Sequence, residues 1–206
     1  MKIGFVVILF FAIFDAAFAG FLPKAFEADL DQIVFSSVKN KEVKTSVSMK
    51  YMFPSNIVFD VEGQAPVTYV CNSQTTWMYN PPFIEGEKGS VKVGSSSKYC
   101  YVKLFDALSN GLKDNNLYTV KSKNRTAHLS FLEKARAQLN ITKVDITFKD
   151  SVTKNSKVTD IDFMSVYYVG KNKPIKFGFK KINTKSKLKK SDFVFSVPSN
   201  TNMSNY

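Results

Sequence analysis

Hydrophobic and polar positions alternate along most of this chain, and the period of the alternation divides it into elements. From Phe26 onward, Phe26, Leu30, Ile33, Val34 and Phe35 recur near 3.6 spacing just after Pro23, which predicts an amphipathic helix over 26–38. The period then becomes two. Val43, Val47, Met49, Tyr51 and Phe53 alternate with Lys44, Ser46, Ser48 and Lys50, the pattern of a strand with one apolar face. Past Pro54-Ser55-Asn56 the residues Ile57, Phe59 and Val61 keep the alternation. Val67, Tyr69 and Cys71 follow, then Trp77 and Tyr79 beyond an Asn72-Ser73 turn. Short strands with turn signals at close intervals predict an antiparallel sheet. The Pro- and Gly-rich stretch 81–94 interrupts the pattern. Over 99–112, Leu104, Phe105, Leu108 and Leu112 share one helical face, with Gly111 near the end. Strands are expected again over 117–123, 127–132, 141–149, 158–169, 174–182 and 192–197.

The predicted fold is therefore mainly β with two or three inserted helices. Helices so few leave one sheet face bare, so they are expected over one opening of a curled sheet. The apolar face collects Met49, Tyr51, Phe53, Ile57, Phe59, Trp77, Tyr79, Phe148, Phe163, Phe177 and Phe179. Such a face is either an ordinary core or the aromatic lining of a ligand cavity. Periodicity does not separate the two.

Composition narrows the function. Lys2, the uncharged run from Ile3 to Phe14 and the small-x-small Ala17-Phe18-Ala19 read as a secretory signal peptide over 1–19, leaving one domain over 20–206. The run is too short to span a membrane, for which about 20 apolar residues are needed, and no cysteine stands at the cleavage point. The expectation is an exported, unanchored protein. Its charge is uneven: ten lysines offset ten acids over 20–119, whereas eighteen Lys and Arg face six acids over 120–206. Within that half, 171–190 holds nine lysines and no acid. It is a solvated hairpin face, or a docking surface for an acidic partner or anionic lipid, with Lys180, Lys181, Lys189 and Lys190 as its representatives. Export and the lack of any aromatic–basic module argue against nucleic acid.

Candidate chemistry is sparse. A single histidine, His128, and two cysteines disfavour a His/Cys metal site and leave most nucleophile–base triads without a base. No cofactor or metal is expected. In an exported chain Cys71 and Cys100 form a disulfide or remain two buried thiols. Asn124, Asn140 and Asn202 begin glycosylation sequons, which matter only in a eukaryotic secretory host. A binding protein is favoured over an enzyme. The competing classes are a basic secreted hydrolase and a polyanion-binding adhesion module.

Four motifs, in order along the chain, resemble the LolA family of periplasmic lipoprotein carriers. Phe26-x-Ala28-x-Leu30-x-Gln32 resembles the family's N-terminal helix. Met49-Lys50-Tyr51-Met52-Phe53-Pro54 with Ile57 and Phe59 resembles its strand–proline–aromatic element. Asn72 to Pro81, containing Trp77-Met78-Tyr79, resembles Asp-Gly-x-x-x-Trp-x-Tyr-x-Pro. Phe193-Val194-Phe195-x-x-Pro198 resembles the closing strand. The resemblance implies an unclosed, strongly curved antiparallel barrel with a helical lid over a hydrophobic cavity. Leu104, Phe105 and Leu108 join the aromatics named above as its lining. It implies a monomeric carrier that takes acylated lipoproteins from an inner-membrane ABC transporter to an outer-membrane receptor. A carrier or sensor for another amphiphile is the variant reading. By the same resemblance, Ile57 stands where a family aromatic serves the transfer step. Phe53 replaces the arginine that latches the lid, and Asn72-Ser73 replaces Asp-Gly.

Overall fold

The computed structural model describes residues 21–96 and 102–206, so the expected signal peptide, Tyr99 and Cys100 lie outside the described residues. Twelve strands follow one another as β1 (Ala25–Ser36), β2 (Lys41–Met52), β3 (Asn56–Val61), β4 (Val67–Cys71), β5 (Thr75–Asn80), β6 (Gly89–Ser95), β7 (Tyr118–Lys123), β8 (Thr126–Phe131), β9 (Ile141–Phe148), β10 (Ile161–Tyr168), β11 (Ile175–Asn183) and β12 (Thr201–Asn205). Helix α1 (Val102–Leu108) lies between β6 and β7, and α2 (Glu133–Leu139) between β8 and β9. All the strands among the described residues join one sheet in the order β12-β6-β5-β4-β3-β2-β1-β11-β10-β9-β8-β7. Its two end strands are not paired with each other, so the sheet is an unclosed half-barrel. Neighbours are antiparallel except β12, which runs parallel to β6. Asparagines at positive φ, Asn40 (45°) and Asn124 (53°), make the β1–β2 and β7–β8 turns, a conformation their side chains tolerate better than most.

The mainly β class with inserted helices is what the alternation predicts, but three segments differ. Residues 26–38 do not form a helix: 25–36 are β1, paired along its whole length with β2 and on its other side with β11. The apolar residues fit both periods, and burial decides between them. Phe26, Ala28 and Leu30, spaced by two, are all but inaccessible, whereas Val34 on the helical stripe is 37% exposed. Pairing with β2 and β11 on both edges gives the backbone of β1 its partners and aims this period-two set into the interior. Residues 89–95 inside the Pro/Gly-rich stretch are β6. The expected closing strand over 192–197 is instead a 3-10 turn, Lys190–Phe193, and an extended segment outside the ladder; pairing resumes only at β12.

Side-chain alternation gives the sheet two unlike faces. The concave face and α1 share one large apolar cluster, from Phe26, Leu30, Met49, Tyr51 and Ile57 through Leu129, Val144, Ile146 and Met164 to Phe179. On the convex face, Val58, Val70 and Phe193 form a smaller cluster with Met52, Trp77, Leu188 and Phe195, because the chain after β11 crosses β3, β4 and β5 there. Asn72 Nδ2 fixes that crossing by donating to the Phe193 carbonyl at 3.1 Å.

Candidate functional site

The concave face owes its aromatic character to register. Phe59 stands opposite Met49 on β2 and Tyr69 on β4, and Tyr51 opposite Phe26 on β1. Four strands thus aim rings inward in two adjacent rows, Phe26 and Tyr51 in one, Phe59 and Tyr69 in the next. Helix α1 completes the group from above. The Phe105 ring lies 5.6 Å from Tyr51, 6.2 Å from Phe59 and 6.4 Å from Phe26, and Phe26 lies 5.4 Å from Tyr51. These are offset and tilted contacts, the favourable geometry for aromatic pairs. Val102, Leu104, Phe105, Ala107 and Leu108 are all buried, so α1 presents apolar surface on most of its circumference and behaves as an internal element. Among the described residues these rings pack directly on one another. Cavities of about 300 Å³, lined by Asn116, Leu117, Lys134, Ala135 and Gln138, and about 250 Å³, lined in part by Glu27, Asp29, Lys50 and Lys181, sit away from the rings.

Of the residues expected to line a cavity, Met49, Tyr51, Ile57, Leu104, Phe105, Leu108, Phe148 and Phe179 lie in the concave cluster, with Phe59 and Phe177 packed against it. Four lie elsewhere. Trp77 stands opposite Val70, so it shares the convex side with Val58 and Phe193. Tyr79, two residues on, stacks on Phe195 at 5.2 Å on the same side. The β4–β5 register, which sets Trp77 opposite Val70 and Thr76 opposite Cys71, fixes this parity, and the alternation of β5 alone does not reveal it. Phe163 is 40% exposed and lies across Gly178, where a Cβ would come within 3.0 Å of its ring. Phe53 is 43% exposed at the β2–β3 turn, and its N–H donates to the Lys24 carbonyl at 2.7 Å.

Two polar groupings hold α1. The Asp106 carboxylate accepts from the Tyr51 hydroxyl (2.9 Å), the Ser55 N–H (3.0 Å) and the Ser55 hydroxyl (3.1 Å), tying the helix to the β2–β3 turn. At the other end the Tyr118 hydroxyl reaches the carbonyls of Gly111 (2.7 Å) and Ala107 (3.2 Å). Burial, with the Asp106 charge and hydrogen bond adding to it, pushes the Tyr51 phenol far above its ordinary range. Burial pushes Tyr118 up to about 12. Both hydroxyls therefore stay protonated donors at any physiological pH. The Phe53 side chain, expected at the latch position, offers no donor; the polar tie at this hairpin comes from Asp106 on the helix. A lone acid in Leu104-Phe105-Asp106-Ala107-Leu108 was the sequence signal for it.

The charged candidates spread over the convex side. Asp31, buried between Gly178 and Ser46, binds Lys180 and Lys44, each at 2.6 Å, and these two hydrogen bonds hold its carboxyl below the usual range. Lys180 is thus an ion-pair partner as well as a surface charge. Lys181 borders the smaller cavity, and Lys189 and Lys190 are exposed at the 3-10 turn. His128 Nδ1 lies 2.8 Å from Asp145, whose second oxygen holds Lys143 at 3.0 Å. Burial raises Asp145, but the bonds from His128 and Lys143 outweigh it and leave it below the usual range. This array lies on the side opposite the apolar interior. Cys71 is fully buried and disulfide-bonded; Cys100, the sequence's other cysteine, lies outside the described residues. Among the described residues no group of three or more His, Cys, Asp or Glu is placed to hold a metal ion, and no helix is long and apolar enough to cross a membrane.

Comparison with known proteins follows the same lines. The family of the outer membrane lipoprotein carrier protein LolA matches residues 23–196. A domain assigned to outer membrane lipoprotein sorting from Vibrio parahaemolyticus aligns with a TM-score of 0.46 at 11% identity, covering 85% of this chain and 89% of that one. A LolA superfamily protein from Nitrosomonas europaea gives 0.46 at 9% identity, covering 84% and 91%. A DUF1329 family protein from Desulfovibrio piger gives 0.41 at 9% identity, covering 84% and 90%. Among curated proteins none matches the chain.

Proposed function

The chain belongs to the LolA family, and from that premise we propose that it is a periplasmic carrier that shelters the acyl chains of lipoproteins and moves them from the inner to the outer membrane. The observation that carries this reading is the concave apolar face covered, among the described residues, by α1, whose Leu104, Phe105 and Leu108 pack into the space the sheet encloses. The helix stands in for cargo.

Magnitudes make the exchange feasible. Each CH₂ taken out of water contributes about 0.8 kcal/mol, so one chain of about sixteen carbons gains roughly 13 kcal/mol by burial. Lifting α1 exposes four large apolar side chains, Val102, Leu104, Phe105 and Leu108, at about 1.5–3 kcal/mol each, or roughly 6–12 kcal/mol together. The two are comparable. An acyl chain therefore displaces the helix without being trapped, as a carrier that must release its cargo requires. Residues 1–19 act as the signal peptide in this reading, 20–206 as the single carrier domain, and the protein works as a monomer. An inner-membrane transporter loads it and an outer-membrane receptor unloads it.

Native mass spectrometry of the protein purified from the cell envelope tests the proposal. A bound acylated protein supports it. A bound lipid with no polypeptide attached turns the reading towards a carrier of another amphiphile within the same fold. A protein that copurifies with neither, and that binds no fatty acid probe, overturns it.

A further inference from the structure

We infer that Asp106 positions the face of α1 that meets the β2–β3 turn, and that access to the apolar interior is set by its bonds to that turn; the second half of the inference rests on the carrier reading. Apolar contact alone leaves a short helix free to slide, because dispersion and burial are non-directional. Direction comes from hydrogen bonds. A single carboxylate receives the Tyr51 hydroxyl at 2.9 Å, the Ser55 N–H at 3.0 Å and the Ser55 hydroxyl at 3.1 Å, and each of these donors belongs to the hairpin rather than the helix. Bonds to an ionised acceptor are the stronger kind. Here they join segments some 50 residues apart in sequence at a site only partly shielded from water.

The hairpin is shaped for this contact. Ser55 holds φ at 64°, a left-handed conformation rarely adopted by residues with a Cβ, and in it both the N–H and the hydroxyl meet the carboxylate. Tyr51 is wholly buried, yet its hydroxyl reaches the rim where Asp106 lies, so its ring belongs to the interior and its polar tip to the clamp. When Asp106 leaves, that hydroxyl loses its partner. The interior thus senses helix position through the same residue that stacks on Phe105 at 5.6 Å.

The test uses Asp106→Asn, Asp106→Glu, Tyr51→Phe and Ser55→Gly; glycine adopts the Ser55 backbone freely and keeps the N–H while removing the hydroxyl. Hydrogen exchange is followed in α1 and, as an internal control, in β9 and β10, and the uptake rate of a fluorescent fatty acid is measured by stopped flow. Asp106→Asn is expected to speed exchange in α1 at least tenfold and to speed uptake in parallel. Tyr51→Phe and Ser55→Gly should have smaller effects, Asp106→Glu should partly restore the wild-type rates, and β9 and β10 should be unchanged. Unchanged α1 exchange in Asp106→Asn overturns the inference, as does equal loosening of β9 and β10, the mark of a merely structural role. Should Asp106→Asn fail to fold, the two hairpin variants carry the same criteria. The outcomes also separate the two readings. Faster α1 exchange with no probe bound by any form retains the positioning role and removes the carrier. Probe uptake with α1 exchange unaffected does the reverse.

Discussion

Removing the Phe105 ring tests whether α1 is a plug or a wall. Phe105 is 6% exposed and meets three rings, those of Tyr51, Phe59 and Phe26, between 5.6 and 6.4 Å. Truncating a buried Phe to Ala lowers stability by about 3–5 kcal/mol, part of it from the cavity left behind. The upper end applies where neighbours cannot collapse. Here Tyr51 is anchored through its hydroxyl to Asp106, and the backbone of β1 is paired on both sides, so the void persists. For a domain of this size such a loss lowers the melting temperature by about 6–20 °C. The plug hypothesis adds a second consequence of opposite sign. With the ring gone, an acyl chain enters without first lifting the helix, so a fluorescent fatty acid should bind Phe105→Ala more tightly than wild type while the melting temperature falls. Thermal denaturation and probe titration on the same preparation give both readings. Probe affinity that falls together with stability would refute the reasoning, because Phe105 would then be part of the binding wall. A stability loss below about 1 kcal/mol would show that the ring is not packed as described.

Other perturbations follow from the same geometry. Phe59→Glu places a charge among the concave rings and should abolish binding of the fatty acid probe; binding equal to wild type removes the interior as the site. Replacing Lys180, Lys181, Lys189 and Lys190 with Gln should flatten the salt dependence of association with anionic vesicles, since exposed charges act over about 8 Å at physiological ionic strength; a salt-independent wild-type rate ends the docking proposal. Lys180 and Lys44 depress the Asp31 pKa below its ordinary 3.8, so the stability this triad contributes is complete above that pH and is lost as pH falls through the depressed value. Asp31→Asn should therefore weaken the acid dependence of unfolding below pH 4, and an unaltered acid limb would show the triad to be energetically idle.

Sheet, strand positions and one apolar face were legible in the sequence because a period of two is a local signal, and β2, β3 and β7 to β11 carry it plainly. Three features were not. β1 reads equally well at period 3.6, and only pairing with β11, from the far end of the chain, makes it a strand. Trp77 and Tyr79 carry the right residue types, but the side on which they fall is a property of register, fixed by the pairing of Trp77 with Val70 across β4 and β5. Asp106 was visible as an acid in an apolar helix, yet its donors lie at Tyr51 and Ser55, and no spacing rule links residues so far apart. Burial follows from pattern. Pairing across the chain does not.

The position of β1 also dictates an order of assembly. β2 to β6 and β7 to β11 are two meanders whose strands pair with close neighbours in sequence, and such hairpins zip early. β1 opens the described chain yet sits between β2 and β11, with Glu27 paired to Asn183. Its far edge stays unpaired until residues 175–183 reach it. For that interval an intermediate displays Phe26, Ala28 and Leu30 beside a row of unpaired backbone groups, the kind of edge that recruits another chain. Pairing of β11 on this edge is thus the longest-range contact of the sheet, and it competes with pairing to another chain.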